Sequence, residues 1–226
     1  MPLSDLFVFV DQVRRSGGQV GAVVPSSRAL GRRMVEGLPP AGTPRRVLEV
    51  GAGTGAFTRA LVSALGPADV LVIVELNPAF CAALRPRIAA WTVHVGAPQV
   101  VLVEGDVLAY EPEARFDYVV SSLPLNAFPE GLVGRIVAKL HDVLAPGGTL
   151  AYFEYTGFRG FREGVRRARG IRGPSAVEAA LDAHVVASRR VFWNVPPATV
   201  RQVRFASGAP TGVPSAASSG RVSRGA

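Results

Sequence analysis

The chain has few of the residues that build covalent or metal-held architecture. Its 226 residues include one cysteine, Cys81, which excludes an internal disulfide and fits a reducing compartment; packing within a helix is the expected role of this thiol. His94, His141 and His184 are widely scattered, with none of the spacings of a metal site, so no metal is expected. Lysine is almost missing, Lys139 being the only one. No segment approaches the roughly 20 apolar residues that span a bilayer, and no basic leader precedes the apolar stretch at the N-terminus. The expectation is a cytoplasmic protein whose membrane contact is limited to the surface, on its inner face.

Hydrophobic residues are plentiful at 48% of the chain, enough for one well-filled core and too few for two large ones. The formal net charge is +8 and the sequence pI about 10.9, which favours an anionic partner, either a phosphate backbone or an acidic lipid surface. Nearly all of that charge is arginine, suited to bidentate phosphate contacts, although a compositional bias of the genome accounts for the ratio as well. Basicity does not choose between the two partners.

Residues 3–15 place Leu3, Leu6, Phe7, Val10 and Val13 at helical spacing, with Ser4 as N-cap and Arg14 and Arg15 at the exit. A second helix is expected to start near Ser26 or Ser27. Apolar runs then alternate with helical patterns: "RVLEV", "VLVIVE", "VVLVEGD", "FDYVVSSLP" and "TLAYFEY" read as strands, with helices near 55–65, 78–90 and 130–144. Strands so continuously apolar, separated by helices, imply a parallel sheet covered on both faces. Beyond residue 158 come an arginine-rich stretch, a short helical run near 175–183, and "RRVFWNV" and "ATVRQVRFA" as a hairpin at the sheet edge. The expected organisation is an amphipathic helix at 1–16, a main domain at 17–206 and a disordered tail at 207–226.

The stretch "EVGAGTG" joins the first strand to a helix. Gly51, Gly53 and Gly55 lack the Cβ that would collide with a closely approaching cofactor. As a dinucleotide fingerprint, Gly51-x-Gly53-x-x-Ala56 is acceptable, and Glu75 stands 20 residues past Gly55, where a ribose-binding acid belongs. Glu49 tilts the balance: an acid beside the first glycine suits a cationic, amino-acid-bearing cofactor better than a pyrophosphate, which it repels. The plainer reading of Glu49 is an acid that binds backbone amides of its own loop.

With Glu75 ending the second strand, Gly105-Asp106 the third, "SSLP" the fourth, and Pro146-Gly147-Gly148 before the fifth, residues 20–158 resemble a class I S-adenosylmethionine-dependent methyltransferase. The resemblance implies a Rossmann-like α/β fold, with a mostly parallel seven-stranded sheet, an antiparallel C-terminal hairpin and helices on both faces. It implies S-adenosyl-L-methionine as cofactor, held by Ser26, Glu49, Gly51, Gly53, Gly55, Glu75, Leu76, Asp106, Val107 and Ser121. Glu75 falls to the ribose hydroxyls and Asp106 to the adenine amine. The turn after the fourth strand lies beside the transferring methyl.

That turn reads Ser122-Leu123-Pro124-Leu125. Adenine N6-methyltransferases acting on RNA carry Asn-x-Pro-aromatic there, and here both the amide and the ring are missing. The chain is similar instead to bacterial phospholipid N-methyltransferases and related ornithine-lipid enzymes, in "GAVVPSS", "ELNPAFCAALRPRI", "SSLPLNAFP" and "YFEYTGF". This implies a lipid amine as acceptor and an anionic membrane surface as partner, with nucleic acid the less favoured one. Ser122, Leu123, Pro124, Glu154 and Tyr155 are then the candidate catalytic residues, Glu154 as proton acceptor and Tyr155, with Phe158, as an aromatic face for a growing cation. Residues 3–15 serve equally as an interfacial helix or as a lid over the cleft. The arginines of 159–172 are candidates for headgroup contacts or for a solvated face. A noncatalytic protein that binds cofactor or membrane is the remaining alternative.

Overall fold

The computed structural model describes residues 28–125, 128–155, 181–194 and 197–205. The expected helix at 3–15, Ser26, Phe158, the arginine-rich stretch, most of the run near 175–183 and the C-terminal tail lie outside them.

Runs of aliphatic residues form strands without polar alternation because both faces of the sheet are covered. β1 (Arg46–Val50), β2 (Val70–Glu75) and β4 (Phe116–Ser121) are buried almost throughout, whereas β3 (Gln99–Glu104) is half exposed at the sheet edge. With β5 (Leu144–Tyr155), β6 (Val185–Val191) and β7 (Ala198–Val203) they form one seven-stranded sheet in the order β3-β2-β1-β4-β5-β7-β6. The strands from β3 to β5 pair in parallel, and β7 runs antiparallel to both neighbours.

Successive strand residues feed two cores, as the two-residue side-chain period requires. On one face α1 (Arg28–Val35), α2 (Ala56–Ala64) and α3 (Pro78–Trp91) bring Leu30, Met34, Phe57, Leu61 and Leu84 against Val47, Leu71, Ile73 and Val120. On the other, α4 (Glu130–Asp142) packs Val133, Ile136, Val137 and Leu140 on Leu48, Val72, Val119 and Tyr152. Helix α3 starts where Asn77 caps the Ala79 N–H at 2.9 Å, with Pro78 in its first turn. Cys81 is fully buried in that helix, its thiol 3.5 Å from the Glu75 carbonyl, and burial raises its pKa, with the nearby Glu75 and Glu104 charges adding to the effect.

Two elements differ from the expected pattern. The Pro-Gly-Gly turn lies inside β5 rather than before it: Leu144 pairs with Phe116 and Thr149 with Tyr118, so the intervening residues bulge out of register. Gly147 sits there at φ +77°, and a Cβ on Gly148 would stand 2.9 Å from the Ala145 carbonyl oxygen and 3.0 Å from that of Phe116. The other difference concerns "RRVFWNV". The ladder closes at the Val191–Ala198 pair, so β6 ends at Val191, and Phe192 and Trp193 fall in the turn.

A buried ion pair fixes the entrance to β1 and β2. The Arg45 N–H donates to Asp69 Oδ1 at 2.8 Å, its Nε lies 3.2 Å from both carboxylate oxygens, and the Gly66 N–H reaches Oδ2 at 2.7 Å. Burial alone would raise the pKa of Asp69, but these donors outweigh it and hold the carboxyl below its usual range. Removing one member strands the other charge in the core. Asp69→Ala is expected to destabilise the fold by about 3–5 kcal/mol, read as a lowered denaturant midpoint.

Candidate active site

Past the strand ends the backbone ladder runs on by one residue in each strand: the Gly51 N–H donates to the Val74 carbonyl, Gly105 N–H to Glu75 and Ser122 N–H to Val50, each at 2.9 Å. The four post-strand segments therefore lie side by side. Over them opens a cleft, outside the carboxyl ends of β1, β2 and β3. This is where open α/β sheets place ligands, because β1 is the strand from which the order runs outward in both directions. Of the residues expected at the site, Gly51, Glu75, Leu76, Asp106, Val107 and Leu123 line this cleft. Leu108, Phe128 and Ile136 line it as well and were not anticipated.

Glu75, 2% exposed, organises the loop. Its Oε2 accepts the Gly53 N–H at 2.7 Å and its Oε1 the Asn77 N–H at 2.9 Å. Gly51, Gly53 and Gly55 all adopt left-handed φ values, +73°, +58° and +87°, which side chains disfavour. For Gly55 the expected reason is corrected. A Cβ there would meet Leu84 Cδ2 at 2.7 Å and Trp91 Cη2 at 2.9 Å, so it is α3, not a ligand, that crowds it.

Glu49 lies on the α2 side of β1, wholly buried, with Thr58 Oγ1 donating to its Oε2 at 2.7 Å. Its Oε1 has no hydrogen-bond partner among the described residues. Burial pushes its pKa up from 4.5 to about 8; the Thr58 hydrogen bond opposes this and the Glu75 charge adds to it. Asp106 combines two roles, lining the cleft while its Oδ1 accepts the Leu108 N–H at 2.9 Å, the turn-forming bond of an aspartate after glycine.

At the end of β4 the hydroxyls of Ser121 and Ser122 are buried and, among the described residues, without partners. Ser121 pairs with Val50 and Glu49 with Val120, which sets Ser121 and Glu49 on opposite faces of the sheet. Pro124 is half-buried in the same crest but is not among the residues lining the cleft.

Glu154 and Tyr155, neighbours in sequence, part company in space. Glu154 is 8% exposed and lies 3.2 Å from Arg201 Nε in an ion pair, while Arg201 Nη1 also reaches Asp182 Oδ1 at 3.3 Å. Tyr155 belongs to the other face, edge-on to Phe153 at 5.3 Å, which is edge-on to Phe57 at 5.5 Å. This aromatic row runs from the end of β5 to the first turn of α2, directly after the glycine loop. Burial raises the Tyr155 pKa.

Comparison with known proteins accords with this geometry. Residues 47–148 match a family described as a methyltransferase domain. The chain is 32% identical over 153 residues to an ornithine lipid N-methyltransferase of Singulisphaera acidiphila, covering 65% of this chain and 76% of that one. The chain belongs to the class I S-adenosylmethionine-dependent methyltransferases. Among solved structures, this methyltransferase superposes on the glycopeptide N-methyltransferase MtfA in complex with S-adenosylmethionine, with TM-score 0.58 and 18% identity over 79% of this chain and 93% of that one. It also superposes on the N-methyltransferase NodS of Bradyrhizobium japonicum, with TM-score 0.56 and 18% identity over 79% of this chain and 94% of that one. Those two likenesses speak to the fold.

The cofactor of this methyltransferase is S-adenosyl-L-methionine, and the residues present fit it. The unpartnered Glu49 Oε1 is a buried acid awaiting a cationic partner, and the cleft pairs the Glu75 and Asp106 carboxylates with the apolar Val107, Leu123 and Phe128 surfaces a purine needs. Among the described residues no group of histidine, cysteine and carboxylate side chains is set to hold a metal ion.

Between pH 4.5 and about 8 the native state keeps a proton on Glu49 that the unfolded chain has lost, so stability falls as pH rises through that window. Asp69, with its depressed pKa, is ionised in both states across most of that range and contributes no opposing slope there. The thermal midpoint of the cofactor-free protein is expected to drop by several degrees, on the order of that produced by 1 kcal/mol or more, from pH 5 to pH 8. Glu49→Gln is expected to flatten the dependence and to weaken cofactor affinity by about tenfold or more, the range of one lost charged hydrogen bond, read by calorimetry.

Proposed function

We propose that this methyltransferase methylates the amine of a lipid headgroup, phosphatidylethanolamine and its methylated intermediates or an aminolipid, while bound peripherally to an anionic membrane surface. The observation that carries the reading is the likeness to the ornithine lipid N-methyltransferase over three quarters of that enzyme. The crest after β4 supports it: Ser122-Leu123-Pro124-Leu125 offers neither the amide nor the ring that holds a nucleobase. No helix among the described residues is long and apolar enough to cross a membrane, which suits attachment from one side.

The cofactor, when bound, supplies an electrophilic methyl group for in-line displacement. The chain's task is to position the acceptor and keep its lone pair free. In this reading Glu49 meets the cationic amino-acid end, Glu75 the ribose hydroxyls and Asp106 the adenine amine, with the glycine loop beneath. The hydroxyl of Ser122 receives a hydrogen bond from the incoming headgroup at the end of β4, and that of Ser121 stays with the cofactor. A headgroup amine is an ammonium at neutral pH, and burial in the cleft lowers its pKa toward the reactive form. Glu154, paired with Arg201, remains the candidate carboxylate for the released proton. Tyr155 offers the face that tolerates a bulkier cation as methyl groups accumulate.

Incubation with labelled cofactor and detergent-dispersed phosphatidylethanolamine, ornithine lipid or structured RNA separates the readings. Label is expected in a lipid fraction, with RNA unlabelled. Faster labelling of RNA, or no labelled lipid in any mixture, overturns the assignment.

A further inference from the structure

Register fixes where the β6–β7 turn lies. Tyr155 at the end of β5 pairs with Ala198, and Ala198 pairs with Val191, so the turn between Val191 and Ala198 projects from the carboxyl edge of the sheet, the edge that carries the cofactor cleft. That turn holds Phe192, 69% exposed, and Trp193, 88% exposed, while Asn194 behind them is buried. The other strongly exposed apolar pair, Val93 and Val95, lies in the segment leading into β3, at the opposite edge of the sheet.

The flanks of the turn are basic. Arg189 pairs with Val200 and Arg190 with Thr199, which sets the two guanidinium groups on opposite faces of the hairpin, both exposed. Of the four arginines in residues 185–205, Arg201 is tied to Glu154 and Asp182 and Arg204 to Thr149, which leaves Arg189 and Arg190 as the exposed basic pair. Arg189 and Arg190 precede the aromatic pair by two to four residues, about 7–13 Å along an extended strand. That spacing matches a side-chain pair seated about 5–10 Å deep at the headgroup–acyl boundary with arginines at phosphate level. Tryptophan, amphipathic and rigid, prefers this interface.

We infer that the β6–β7 turn is a membrane-docking tip: Phe192 and Trp193 enter the interface of an anionic bilayer, Arg189 and Arg190 bind lipid phosphates, and the cleft edge is thereby presented to the membrane. The inference rests on the lipid-acceptor reading for its purpose, but its geometry stands on the turn itself. It adds a docking element within the described fold to the expected contacts of residues 3–15 and 159–172.

The test uses the full chain with vesicles of phosphatidylcholine containing phosphatidylglycerol. Subtracting the fluorescence of Trp193→Phe from that of the unaltered protein isolates the Trp193 signal, since Trp91 is the only other tryptophan. On vesicles this signal is expected to shift to the blue and to be quenched by brominated lipid. A Phe192→Ala/Trp193→Ala double variant is expected to keep calorimetric cofactor binding, which reports folding, and to keep methylation of detergent-dispersed lipid. Its vesicle partition and its methylation of vesicle lipid are expected to fall by about tenfold or more, as lost interfacial aromatic area requires. Trp193 accessible to aqueous iodide on vesicle-bound protein, vesicle partition of the double variant equal to that of the unaltered chain, or Trp193 already shielded by self-association without lipid would each overturn the docking tip. Absence of methylation even in detergent would instead overturn the lipid reading, with bromolipid quenching still deciding the tip.

Discussion

One carboxylate, that of Glu75, sets the reference for the whole site. It ends β2, and its two oxygens take the N–H of Gly53 in the loop after β1 and of Asn77 at the cap of α3. A buried amide must be paired somewhere; Gly51 continues the strand ladder and Gly55 bonds Ala52 within the loop, while Gly53 relies on this carboxylate. Glu75 meets that requirement, so the loop cannot move without β2 and α3. The extended ladder through Gly51, Gly105 and Ser122 then carries the same register across to β3 and β4. At the other end of the strands the Arg45–Asp69 pair performs the matching task.

Between these two ties several buried polar atoms have no hydrogen-bond partner among the described residues. Glu49 Oε1 and the hydroxyls of Ser121 and Ser122 all lie at the ends of β1 and β4. Each such atom costs about 1–3 kcal/mol when nothing meets it. A fold that pairs Asp69 with three donors has the means to satisfy its buried groups, so the three unmet ones at the ends of β1 and β4 are candidates for partners that binding supplies. The rise in the Glu49 pKa expresses the same tension.

Much of this was legible in the sequence. The runs that became β1, β2 and β4 were continuous enough to demand two covered faces, and the order of acids and glycines after them pointed to the cofactor's identity. Other features depend on contacts that no local pattern encodes. Gly55 is crowded by Leu84 and Trp91, far along the chain. Phe128 and Ile136 look like ordinary core residues until the cleft is built. Glu154 and Tyr155 were grouped by adjacency, yet a strand turns adjacent side chains to opposite faces. Phe192 and Trp193 continue an apolar run and so read as strand; only the pairing of Val191 with Ala198 shows that the ladder has already closed.

The solitary thiol of Cys81 has a consequence of its own. It is wholly enclosed between α3 and the end of β2, with its sulfur against the Glu75 carbonyl. A maleimide or disulfide reagent therefore finds no nucleophile on the native surface, and its rate of attachment counts the moments when α3 lifts from the sheet. The chain carries a built-in chemical clock for the opening of the element that seats its cofactor loop.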